Sequence, residues 1–215
     1  MLTFFGKGRD GKGGDRTVSS ADMLAPLQLV RGYWEALRAG GGLPRRGQID
    51  PRGMADCLDK VFLIEQIAPG LARFRLAGMA LNDLLGMDVR GMPLSALFEP
   101  VARARIGEEL DQVFSAAASL EVWLEAERSA GRPALSGRML LLPLAPVANE
   151  PRLVLGCLVT EGEVGRHPRR FAISGMVREV LAGTGLQVVP EVPQMQPAPP
   201  RSSGRPDLRL VHSRD

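Results

Sequence analysis

Histidine and cysteine, the residues most often recruited for chemistry, are almost missing from this chain of 215 residues. It has two histidines, His167 and His212, and two cysteines, Cys57 and Cys157. No Cys, His and acid cluster has the spacing of a zinc site, so no metal ligands are assigned. A Ser-His-Asp set cannot be assembled in the central part of the chain, which holds no histidine. The two cysteines form no CxxC pair and read as reduced, partly buried thiols. Acids such as Glu65, Glu99 and Glu108 are not distinguishable from solvated surface charge. No catalytic residue is therefore assigned, and an enzyme is not expected. Long apolar runs are also lacking: none approaches the ~18 residues of a membrane span. The opening Met-Leu-Thr-Phe-Phe is too short for a signal peptide, and its charges follow the apolar stretch. These features predict a cytoplasmic protein.

Charge is ordinary in amount but uneven in place. The formal net charge is +3. Residues 1–20 carry four basic and two acidic side chains, and residues 164–215 carry eight and four, which leaves −3 for the middle. The basic excess thus lies in the two ends. Basic ends can touch nucleic acid or an anionic membrane surface. Here they contain no run of five basic residues and almost no interleaved aromatics, which argues against nucleic acid.

Residues 1–20 read as a flexible leader. Its Gly6-to-Gly13 run resembles a phosphate-binding loop without the closing Ser or Thr, and Gly13-Gly14-Asp15 is an isolated fragment of a cyclase signature. Residues 21–42 predict an amphipathic helix, capped by Ser19 or Ser20. Met23, Leu24, Leu27, Val30, Tyr33, Trp34 and Leu37 form one face, and a run of three glycines ends it. Asp50-Pro51 opens a short helical segment.

Val61–Ile67 is an apolar run, Pro69-Gly70 a turn, and Ala72, Phe74 and Leu76 alternate with Arg73 and Arg75. This is a hairpin pattern. Leu81, Leu84 and Leu85 lie at helical spacing between Gly78 and Gly86. Residues 92–98 form a helical turn, and a longer helix after Pro100 carries Ala102, Ile106, Leu110, Val113, Phe114 and Ala117 on one face. Three strands follow. Leu120–Glu127 alternates, whereas Met139–Leu144 and Leu153–Val159 are apolar on both faces and belong to a sheet covered on both sides. Residues 164–188 are a C-terminal extension whose pattern over 164–182 fits helix or strand alike. Residues 189–215 are a Pro-rich tail.

The order strand, strand, short helices, longer helix, three strands resembles a PAS sensory domain. The Tyr33-Trp34 to Asp50-Pro51 opening, with Arg75-Leu-Ala-Gly78 and Gly86-Met-Asp-Val-Arg-Gly91, is similar to the single-domain PAS proteins of alphaproteobacteria. The resemblance implies an α+β fold: a five-stranded antiparallel sheet over residues 43–163, short helices on one face, and the N-terminal helix or a second subunit on the other. It implies a sensory or regulatory role through protein–protein contact, as a homodimer or with a signalling partner, with a small molecule as an optional gate. The alternatives are a metabolite sensor whose main event is ligand binding in the core, and a basic-tailed binder of nucleic acid or membrane. The implied pocket residues are Phe62 (or its neighbour Leu63), Phe74, Leu76, Met79, Leu85 and Phe98, with plain core packing as the competing reading. Met79 stands where the family often has Thr. Tyr33, Trp34 and Trp123 are the expected contact surface. The cofactor is unknown; the lack of a core histidine argues against haem, and the lack of an Asn-Cys-Arg-Phe motif against a covalent flavin.

Overall fold

The computed structural model describes residues 20–38, 41–182 and 185–191. The leader up to residue 19, with its two glycine fragments, and the tail beyond residue 191, with His212, lie outside the described residues. Helix α1 (Ser20–Leu37) is followed by a 3-10 segment (Pro51–Lys60), the hairpin β1 (Val61–Ala68) and β2 (Leu71–Ala77), and helix α2 (Met79–Leu85). Two short 3-10 turns lead to α3 (Arg103–Ser115). Strands β3 (Ala118–Ala126), β4 (Leu135–Pro143), β5 (Leu153–Gly162), β6 (Phe171–Ala182) and β7 (Gly185–Glu191) complete the order.

All strand pairs are antiparallel, in the spatial order β2-β1-β5-β4-β3-β6-β7. The five expected strands form a contiguous block. The segment whose pattern was ambiguous supplies β6, which pairs along β3, and the chain then turns back into β7. Gly175 and a register shift opposite Trp123/Leu124 break the alternation of β6, which is why its strand character is faint in the sequence.

The two sheet faces bury separate cores. On the inner face, α2, the short turns and α3 close over Phe62, Ile64, Phe74, Leu120, Val122, Leu124, Met139 and Phe171. On the outer face, α1 lays Leu27, Val30 and Trp34 over Leu63, Leu140, Leu142, Leu155 and Cys157. This explains why β4 and β5 are apolar on both sides. Of the two covers foreseen for the outer face, the chain's own helix fills the place over β1, β5 and β4. Arg31 on α1 reaches Glu121 at 3.4 Å and Glu179 at 3.3 Å, and so spans β3 and β6. Two close approaches require glycine. A Cβ on Gly156 would stand 2.2 Å from the Phe62 ring, and one on Gly78 would stand 2.2 Å from the Asp59 carbonyl.

Candidate functional site

The site begins with an irregularity in β2. Ile64 pairs with Phe74, but Leu63 pairs with Leu76, so Arg75 has no partner on β1. This bulge shifts the pleat by one residue. Phe74 points into the inner core beside Ile64, whereas Leu76 points to the outer side beside Leu63. Buried Glu65 fastens the bulge, accepting from Arg73 Nε at 2.6 Å and from Arg75 Nη1 at 3.2 Å.

Below the bulge the backbone of the 3-10 segment crosses Gly78, whose N–H donates to the Val61 carbonyl at 2.9 Å. Together they frame a cavity of about 430 Å3. Its walls include Ile49, Met54, Leu58 and Phe62, then Leu76 and Met79, with Asn82, Asp88, Arg90 and Arg46 at its polar side. The volume lies within the ordinary range of small-molecule sites. Three wall residues are large, apolar and solvent-exposed: Leu58 at 41%, Leu76 at 51% and Met79 at 65%.

The polar side is held by short-range bonds. Asn82 Oδ1 accepts from the Val89 N–H at 3.1 Å, and its carbonyl accepts from the N–H groups of Gly86 and Met87. Arg90 Nε donates to Asp88 Oδ2 at 2.8 Å, and the Arg90 N–H donates to Asp88 Oδ1 at 3.0 Å. The Arg90 side chain, then its backbone N–H, hold the Asp88 carboxyl below its ordinary value, and Asp88 in turn raises Arg90. The rim thus carries a matched charge pair plus Arg46. The lining is thus mainly apolar, with the Arg90, Asp88 and Arg46 side chains at its polar side.

The six expected pocket residues do not converge. Phe62, Leu76 and Met79 line the cavity. Phe74, Leu85 and Phe98 are packed in the inner core, 0–4% exposed, and Phe74 meets Phe62 edge-on at 5.5 Å. The strict alternation of residues 72–76 predicts Leu76 on the same face as Phe74. The structure corrects this, because the bulge at Arg75 reverses it. Ile49, Leu58, Asn82, Asp88 and Arg90 were missed as wall residues. The Gly86–Gly91 motif did mark the loop that holds the last two.

The expected contact surface is also divided. Trp34 is fully buried, its N–H donating to the Pro143 carbonyl at 3.0 Å and the Arg38 guanidinium lying 4.8 Å from its ring. It belongs to the chain's own packing and presents no surface. Tyr33 is half-buried and ties α1 to the following turn, donating to the Gln48 carbonyl at 3.3 Å and accepting from the Asp50 N–H at 2.7 Å. Trp123 is half-buried on the outer face under the Arg138 guanidinium, 5.0 Å away. Both cysteines are buried in the outer core. Burial pushes the Cys157 thiol up to about 12 and raises Cys57 as well, so both stay protonated and unreactive at neutral pH.

Among the described residues, no group of three His, Cys, Asp or Glu side chains could hold a metal ion. No helix among them is long and apolar enough to cross a membrane. A family model described as a PAS domain matches residues 23–159. No curated protein and no solved structure matches the chain. The narrower alphaproteobacterial grouping rests on the sequence resemblance alone. PAS domains are in general sensory and signalling domains, and typically not catalytic. With more than half of its length matched and the sheet in place, the chain belongs to the PAS domain family.

Proposed function

We propose that this chain is a regulatory module that works by protein–protein contact, gated by a small, mainly apolar ligand at the cavity beside the bulge. One observation carries the reading: exposed Leu58, Leu76 and Met79 line a cavity of about 430 Å3 while the inner core is closed. Exposed apolar side chains around a concavity favour an occupant, since each gains by leaving water. Arg46 and Arg90 at the polar side favour a ligand with an anionic or hydrogen-bond-accepting end. Met79 adds a flexible thioether able to adapt to its shape. The exposed rim continues to Met87, 54% exposed, and gives a partner protein a surface that changes with occupancy. The metabolite-sensor reading, whose main event is ligand binding in the PAS core, would need space among Phe74, Leu85 and Phe98, which are packed there.

Native mass spectrometry of freshly purified protein, repeated after denaturation, tests this. The expected result is a bound small molecule that denaturation releases and that Leu76→Arg fails to retain. An adduct kept by Leu76→Arg would contradict the assignment to this cavity. Protein without an adduct from several expression hosts would remove the ligand gate and leave a contact module alone.

A further inference from the structure

A second cavity, of about 280 Å3, lies away from the bulge, between the turn after Phe98, the β3–β4 connection and the segment entering β6. Its walls hold three arginines, Arg132, Arg169 and Arg170, with Pro168, Glu99 and Glu127. Arg169 is 1% exposed. Its guanidinium is held by carbonyl oxygens: Nη1 donates to Val164 at 2.5 Å and to Glu163 at 3.5 Å, and Nη2 to Pro133 at 2.8 Å and to Glu127 at 3.4 Å. Its backbone N–H donates to the Leu84 carbonyl at 2.8 Å. These bonds satisfy protons but bring no opposite charge. Among the described residues, no carboxylate forms an ion pair with Arg169, Arg132 or Arg170.

A buried cation without a counter-charge is unfavourable unless something compensates it. Burial, with a smaller contribution from Arg132, lowers the guanidinium from its ordinary value, which is the mark of that cost. We propose that this cavity is a binding site for a small oxyanion, a phosphate or carboxylate group, held by Arg132 and Arg170 over the fixed charge of Arg169. Planar guanidinium groups take such oxygens in pairs, and a half-enclosed cavity screens them less than open water does. Glu99 and Glu127 reduce the net positive charge of the walls to one and restrict the site to a small anion. The walls come from separate segments joined here by Arg132 Nε donating to the Arg166 carbonyl at 3.3 Å and by the Glu99 N–H donating to the Phe171 carbonyl at 3.0 Å. A bound oxyanion therefore fixes the entry to β6 against the β3–β4 connection, independently of the apolar cavity.

Thermal unfolding of the full chain, titrated with inorganic phosphate or with succinate at ionic strength held constant by sodium chloride, tests the site. A saturable rise in Tm with either anion is expected: a response to phosphate alone assigns a phosphoryl group, to succinate alone a carboxylate. Arg170 is exposed and makes no side-chain hydrogen bond among the described residues. Arg170→Ala should keep the anion-free Tm and weaken binding by roughly tenfold or more, the value of one charged hydrogen-bond pair. Glu127→Gln should tighten binding. A rise no larger than sodium chloride alone gives, or unchanged affinity in both Arg170→Ala and Arg132→Ala, would overturn the proposal.

Discussion

The two halves of strand β2 have opposite fates. Ala72 and Phe74 are 1% exposed in the inner core, whereas Leu76, two residues on, is 51% exposed on the wall of a cavity. Composition does not separate them, for both halves are apolar residues alternating with arginine. One unpaired residue, Arg75, does. A single bulge thus lets one strand complete a closed core and also open a concave surface beside it. In this PAS domain the cavity lies where the regular pleat stops.

Variants on the two halves should therefore differ sharply. Phe74→Ala is expected to cost about 3–5 kcal/mol of stability, the usual range for emptying a buried aromatic position, measured by urea unfolding. Trp34→Ala should fall in the same range, because that indole is core and not surface. A loss of partner binding in Trp34→Ala would then report lost folding, and circular dichroism separates the two. A cost below about 0.5 kcal/mol at either position would break the comparison.

The outer core makes a pH-dependent prediction. The Cys157 thiol is raised from 9.0 to about 12 in the folded chain. A thiol is neutral when protonated, so folding is favoured fully below pH 9.0 and less as pH climbs toward 12. Each pH unit in that window should remove about 1.4 kcal/mol of stability. Cys157→Ala should lose this slope, and denaturant unfolding at about pH 8, below the window, and at about pH 9.5 and 10.5, inside it, compares the two. An equal slope in both would show that the thiol is hydrated.

Smaller effects belong to the bulge. Glu65→Gln should cost about 1–2 kcal/mol, since it weakens two charged bonds whose arginines can turn to water. It should also disturb the cavity, visible as altered amide signals at Leu76 and Gly78 while those of Phe98 and Phe171 hold. Met79→Gln should change stability by less than about 0.5 kcal/mol, because the side chain is 65% exposed, and it should still weaken ligand retention. A wild-type adduct in Met79→Gln would sharpen the site toward Leu58 and Met54.

The architecture was legible in the sequence because its signals are local. The Pro69-Gly70 turn, the leucines between Gly78 and Gly86, and the two-sided apolar runs of β4 and β5 each specify an element without knowledge of the others. The site was legible only in part. Phe62, Leu76 and Met79 were marked, yet the reason they meet is a register shift, and register depends on the partner strand. Phe74, Leu85 and Phe98 share the composition of pocket residues, but α2, α3 and the 3-10 turns fill the space before them. Trp34 looked like a contact residue because an exposed and a buried face of an amphipathic helix read alike until the sheet beneath it is placed. Arg169 carried no signal at all: nothing in Arg-His-Pro-Arg-Arg tells that one guanidinium turns inward onto carbonyl groups.

The most direct test labels the methionine methyl groups with carbon-13 and titrates the protein with anilinonaphthalene sulfonate, an apolar probe with one anionic group. Met54 and Met79 line the cavity, whereas Met139 and Met176 lie in the inner core. The account predicts saturable shifts at Met54 and Met79, with Met139 and Met176 unmoved. Shifts centred on Met139 and Met176 would place the pocket in the inner core and contradict it.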